Sequence, residues 1–151
     1  MKTAKKILGL ALAMALAVMS LAACGGGGSA DAPSSMADGT YQGRSSDFDE
    51  DESGNGSGYG EVEIVVKDNA VTDCTFTMYE LDGTVKDETY GADLSQENRL
   101  KAQKAVQAGA KYAEMLVSGG SLDAVDSITG ATISYNEFVE AVTDAMNKAA
   151  E

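Results

Sequence analysis

The chain has 151 residues, with 11 basic and 24 acidic side chains, for a net charge of −13, and it contains no histidine. Such a balance argues against nucleic acid as a partner, because phosphates would be repelled. Without histidine there is no imidazole metal ligand, no histidine general base and no histidine-ligated haem. The two cysteines, Cys24 and Cys74, stand too far apart in sequence for a Cys-x-x-Cys redox or zinc site.

Taken in chain order, the first segment is an export signal. Lys2, Lys5 and Lys6 form a positive start, and residues 7–21 are an apolar run rich in Ala, Leu and Met. That run is short for a membrane span and lacks a stop-transfer flank. Leu21-Ala22-Ala23-Cys24 follows and resembles a bacterial lipobox. The resemblance implies a signal peptide over residues 1–23 and a lipid on the thiol of Cys24. The protein is then expected on the extracytoplasmic face of a bacterial membrane, held by its anchor. Residues 24–37 comprise that cysteine and a Gly/Ser-rich linker, which contains the single proline, Pro33. Too polar to bury apolar surface, the linker is expected to serve as a flexible tether. Removal of the signal leaves eight basic and 24 acidic residues, a balance of −16. The acidic surface serves solubility and disfavours a domain lying flat on anionic lipid.

Residues 38–151 hold one domain's worth of sequence, with no internal repeat. Asp38-Gly39-Thr40-Tyr41-Gln42-Gly43 reads as a turn and a first strand. Residues 47–58 form an acidic, Gly-rich loop. Asp47, Asp49 and Asp51 imitate the start of an EF-hand. Glu52 at the sixth position and Gly58 at the twelfth break that pattern, so no calcium site is expected. Residues 61–67 alternate, with Val62, Ile64 and Val66 on one face, and residues 71–80 form a second alternating run. Asp68-Asn69 marks the turn between them. A two-residue loop would set Val66 opposite Val71 and place Phe76 on the wrong face. One extra loop residue sets Val62, Ile64 and Val66 beside Phe76, Cys74 and Thr72, and that register is expected. Cys74 alternates with Phe76 and Met78 and reads as a small buried side chain.

Leu81-Asp82-Gly83-Thr84 is another turn, and residues 85–90 read as a further short strand or extended segment. Residues 95–118 read as a long helix. Ala102, Val106, Gly109, Ala113 and Leu116 recur along one face, and Gly119-Gly120 stops it. Residues 135–150 read as a final helix with Phe138, Val142 and Ala145 facing inward. Strands first and helices later define an α+β fold: a small antiparallel sheet with a long helix and a C-terminal helix packed on it.

Between the two helices lies Asp126-Ser127-Ile128-Thr129-Gly130-Ala131-Thr132. Gly130 permits backbone dihedrals closed to other residues, and Ala131 adds little bulk. Ser134 and Glu137 have the spacing of a capping box, which would place Thr132 within a turn of a helix N-terminus. Free amides and partial positive charge there favour a phosphate.

This stretch resembles the flavinylation signature of the FMN-binding domain family: Asp, two variable residues, Ser or Thr, Gly, Ala, then Thr or Ser. Its members include flavin subunits of the sodium-pumping NADH:quinone reductase, Rnf-type complexes and small bacterial lipoproteins. The resemblance implies FMN linked through its phosphate to the hydroxyl of Thr132 by a flavin transferase. Asp126, Ser127, Thr129, Gly130 and Ala131 complete the cofactor-binding set, and Asp126 is expected to be read during attachment. Ser127 stands where many members carry Gly. Weaker matches are the Asp38 opening, Gly58-Tyr59-Gly60, Asp82-Gly83-Thr84 and Tyr90-Gly91.

No nucleophile–base–acid set and no dinucleotide-binding Gly-x-Gly-x-x-Gly is present. The implied function is an electron carrier that exchanges electrons with a membrane or extracytoplasmic redox partner, rather than a stand-alone enzyme. Candidate ring contacts are Tyr90, Tyr59 and Met78. The alternative is a surface lipoprotein that binds a ligand without redox chemistry, or serves protein contact only.

Overall fold

A computed structural model describes residues 33–50 and 56–151. The signal peptide, Cys24, the linker up to residue 32, and Asp51 and Glu52 of the acidic loop lie outside the described residues. Three antiparallel strands, β1 (Gly39–Arg44), β2 (Tyr59–Lys67) and β3 (Ala70–Tyr79), form one sheet in the order β1-β2-β3. Helix α1 (Gln96–Gly119) and helix α2 (Thr132–Ala149) follow, with a 3-10 turn over Leu122–Ala124 between them. This is the expected α+β arrangement.

Alternation in β2 decides which face is covered. Val62, Ile64 and Val66 are buried, whereas Glu61 and Glu63 are exposed. Both helices lie on the buried face, α2 across β1 and β2 and α1 along β3. Glycines permit the close approach. A Cβ on Gly43 would collide with the carbonyl of Ala141 on α2. A Cβ on Gly109 of α1 would sit 2.9 Å from Met78 Cε and 3.1 Å from the Phe76 ring. Phe138 then joins the layers. Its ring meets Phe76 edge-on at 5.1 Å and lies 5.8 Å from Tyr112 of α1.

The β2–β3 hairpin corrects the expected register in one detail. The loop has two residues, Asp68 and Asn69, both with positive φ (50° and 64°), as a tight type I′ turn requires. Val66 therefore faces Val71. A bulge at Thr72 then shifts the ladder by one residue, so that Ile64 pairs with Cys74 and Val62 with Phe76. The extra residue sits in the strand rather than in the loop. It restores the apolar face that a continuous two-residue hairpin would have split. Cys74 is partly buried against the core, and burial pushes its thiol pKa up to about 12.

Residues 85–90 do not form a strand. Tyr79 makes a single bridge to Val85, and the Lys86 amide donates to the Met78 carbonyl at 2.8 Å. Asp87 then accepts from both the amide and the hydroxyl of Thr89, at 2.8 and 2.6 Å, and bends the chain away. Helix α1 begins and ends as its sequence indicates. Ser95 is the N-cap, and its Oγ accepts from the Asn98 amide. Gly120 is the left-handed C-cap, with φ 72° and its amide donating to Leu116.

The capping box at Ser134 and Glu137 is overturned. Helix α2 starts at Thr132, after Ala131, and both Ser134 and Glu137 point inward as buried residues of its first turns. The apolar demand of the α2 face outweighs the local capping preference, because Phe138, Ala141, Val142 and Ala145 must all face the sheet.

Candidate functional site

The signature segment is a tight bend clamped onto α1. Tyr112, fully buried on α1, places its hydroxyl between two backbone groups of the segment. It donates to the Ala131 carbonyl and accepts from the Ile128 amide, each at 3.1 Å. Gly130 adopts φ 82°, in the left-handed region that favours glycine. A Cβ there would also lie 3.3 Å from Lys104 Nζ. Thus Gly130 both turns the chain and leaves room for a cation from α1. Ala131 is buried and Thr132 is exposed as the first residue of α2.

Thr132 lines a cavity of about 860 Å³. One wall is Gly130, Ala131, Thr132, Ile133 and Ser134. Opposite lie Asn98, Lys101, Ala102 and Ala105 of α1. The third side is the segment after β3, with Glu80, Val85, Tyr90 and Leu94. Tyr90 is held there by its carbonyl, which accepts from Gln103 Nε2 at 2.7 Å. Lys86 Nζ sits 5.3 Å from the Tyr90 ring centroid. Burial and the nearby carboxylates of Glu80, Glu137 and Glu50 raise the pKa of the Tyr90 phenol.

Among the residues expected at the site, Gly130, Ala131 and Thr132 line the cavity, whereas Asp126, Ser127 and Thr129 do not. Asp126, Ser127 and Thr129 are exposed on the approach to the bend. Of the three candidate ring contacts, only Tyr90 lines the cavity. Tyr59 stacks on Tyr79 at 5.1 Å on the opposite, open face of the sheet, beneath the Arg44 guanidinium. Met78 is buried under α1. Sequence reasoning missed Lys101 and Lys104. Their signal was available: two of the eight cations left after the signal, spaced i, i+3 on one helix. It also missed Glu137, which local spacing had assigned to a cap.

The cavity and bend place the chain in a recognisable class, an α+β domain with an exposed threonine at the mouth of a cofactor-sized pocket. The description "FMN-binding domain" matches residues 55–147, and the chain belongs to the FMN-binding domain family. No curated protein matches. Among solved structures, the crystal structure of CPE2226 protein from Clostridium perfringens is similar, at 21% identity and a TM-score of 0.55. The match covers 76% of this chain and 88% of that one and supports the fold.

FMN is accordingly the cofactor, and the residues present fit it. The cavity lies within the roughly 300–1,000 Å³ typical of small-molecule sites. Its lining mixes apolar and polar groups. Val85, Tyr90, Leu94, Ala102 and Ala105 offer apolar and aromatic surface to a flat ring, beside the acids Glu50, Glu80 and Asp93. Thr132 lines it at the start of α2, where free amides and Lys104, beside Gly130, would suit a phosphate; Lys101 also lines it and pairs with Glu97 at 3.1 Å.

Proposed function

We propose that this protein is a membrane-anchored flavin carrier whose FMN is bonded through its phosphate to Thr132 Oγ1. The observation that carries this reading is the position of Thr132. Thr132 is exposed for a transferase and also lines the cavity, two residues after Gly130, which stands beside Lys104 of α1. Bonding the phosphate to the first residue of α2 would leave its remaining charge at a helix N-terminus that no side chain caps. Joining free FMN to a hydroxyl would release water and run uphill in water. The transferase therefore needs a donor whose flavin phosphate is held in an anhydride. The anhydride bond breaks as the Oγ1–P bond forms, and the threonine proton leaves to a base of the transferase.

Bound FMN supplies one- and two-electron transfer. The chain supplies the rest. Lys104 would neutralise phosphate charge, while Lys101 is shared with Glu97. Tyr90 and the small residues of α1 would shape the ring site, and Gly130 keeps the backbone clear of Lys104. Anchoring at Cys24 and the flexible tether would retain an exported cofactor at the membrane.

Denaturing-gel fluorescence after co-expression with a flavin transferase tests attachment. Wild type should fluoresce and Thr132→Ala should not; fluorescence of the variant would place the bond elsewhere. Release of Cys24→Ser from the membrane fraction tests the anchor. A protein that loads flavin but is not reduced by any membrane or soluble donor would favour the non-redox binding reading.

A further inference from the structure

Four polar side chains are buried among the described residues: Ser45, Lys86, Ser134 and Glu137. They gather at one end of the sheet, behind the cavity. Ser45 Oγ accepts from the Gly60 amide at 2.9 Å. A Cβ on Gly60 would lie 3.2 Å from Glu137 Cβ, and a Cβ on Gly58 would overlap the Lys86 ammonium. The two glycines of Gly58-Tyr59-Gly60 thus make room for a buried acid and a buried base.

Glu137 is 1% exposed, and its Oε1 has no hydrogen-bond partner. Lys86 acts on it across space, but no ion pair joins the two among the described residues. A buried carboxyl with one oxygen left without a hydrogen bond is costly to a fold. It also lies next to the cavity wall. Ser134, one turn earlier on α2, lines the cavity, as does Tyr90, behind whose ring Lys86 sits. The separation from the cavity is therefore about one layer of side chains.

We propose that Glu137, with Lys86 as its counter-charge, is an internal proton acceptor that takes up one proton when the flavin in the cavity is reduced and releases it on reoxidation. This rests on the flavin reading above and deepens it. When dithionite delivers two electrons to the flavin, negative charge is added in the cavity. Glu137 binds a proton from solvent, forming a single O–H bond, while dithionite takes up two waters and leaves as two sulfites with release of protons, a contribution that is the same for wild type and variant. Negative charge added on the far side of the Ser134 and Tyr90 side chains strengthens proton binding at the buried carboxyl, because the interior screens it less than water does. The carboxyl is poised to respond, since burial lifts its pKa to about 7. The other groups that bear on this cluster are accounted for. Lys86 favours the ionised form and Glu140 opposes it, whereas Glu80 and Glu50 act on Lys86 and Tyr90.

The test has two arms. In the flavin-free protein, carbon-13 NMR of the Glu side-chain carboxyls should show one group titrating near 7 that disappears in Glu137→Gln. Lys86→Met should move that titration to higher pH, which identifies Lys86 as the counter-charge of Glu137. In the flavin-loaded protein, reductive titration with dithionite and a pH indicator near pH 7 should count on the order of half a proton more per two electrons in wild type than in Glu137→Gln, because a carboxyl with a pKa near 7 is already about half protonated there. If Glu137→Gln fails to fold, Lys86→Met carries the test by raising the pH range of the extra uptake. Equal proton counts in folded wild type and Glu137→Gln, or ionisation of Glu137 below pH 5, would overturn the proposal. A chain that takes no flavin while Glu137 still titrates near 7 would sink the functional reading and the coupling, but not the buried acid.

Discussion

The phenol of Tyr112 bonds to both limbs of the signature bend, donating to the Ala131 carbonyl and accepting from the Ile128 amide. One fully buried side chain on α1 thus fixes the segment that presents Thr132. Removing the hydroxyl in Tyr112→Phe leaves two backbone groups without their partner. A loss of about 1–3 kcal/mol is expected, read by urea denaturation. Flavin loading should fall as well, because the bend would no longer be held in the shape a transferase meets. Unchanged loading would show that the bend keeps its form without the clamp.

Thr132 and Ser134 should separate cleanly. Thr132→Ala removes an exposed hydroxyl and should change stability by no more than about 0.5 kcal/mol while abolishing covalent flavin. Ser134 does not cap α2, so Ser134→Ala should cost no capping energy and leave the bond in place. Peptide mass mapping of the flavin checks both; flavin found on Ser134 would reverse the assignment.

Asp126 is exposed and does not line the cavity. Its contribution is therefore expected during attachment rather than in holding FMN. Asp126→Ala should lower loading by the transferase severalfold with the melting temperature almost unchanged. Equal loading of the two proteins would reduce Asp126 to a turn-former.

Stability should depend on pH through Glu137. The folded carboxyl keeps its proton up to about pH 7, whereas an ordinary glutamate releases its proton near 4.5. Between those values the folded state binds more protons, so stability falls as pH rises. Above that window the cost is constant. Glu137→Gln lacks this dependence and should gain up to about 3 kcal/mol relative to wild type at pH 8, with little gain at pH 4. Parallel denaturation curves of the two proteins across pH 4–8 would contradict this.

Glu80 lies on the wall of the cavity nearest Val85 and Tyr90, where the flavin ring is expected. Its charge opposes the negative charge gained on reduction. Glu80→Gln should raise the midpoint potential by about 10–30 mV, up to a tenfold change in the two-electron equilibrium. Added salt should act in the same direction, since exposed charges are screened beyond about 8–10 Å. Potentiometric titration at two salt concentrations measures both effects.

The hairpin shows how far local pattern reaches. Asp68-Asn69 marks the turn, and the alternation of Val62, Ile64 and Val66 marks the buried face. Neither says whether an odd residue sits in the loop or in the strand. The bulge at Thr72 settles it by letting a two-residue turn coexist with Phe76 on the covered face. Residues 85–90 are a second case. Their composition allows a strand, but one bridge to Tyr79 is all they make before Asp87 turns the chain.

The sequence by itself determined what depends on nearest neighbours along the chain. It specified the faces of β2 and α2, the caps of α1 at Ser95 and Gly120, the left-handed need at Gly130, and a signature whose hydroxyl stands ready at Thr132. The tertiary structure decided what depends on groups far apart in sequence. It brought Lys104 to the bend, Tyr112 beneath it, Lys101 and Tyr90 to the lining of the same cavity, and Lys86 toward Glu137. It also turned Glu137 from a capping residue into a buried acid. Spacing of three favours a cap only while the helix end is solvated. Once the first turns of α2 must pack on the sheet, burial of Phe138 and its neighbours fixes the helix rotation, and Glu137 is carried inside with them.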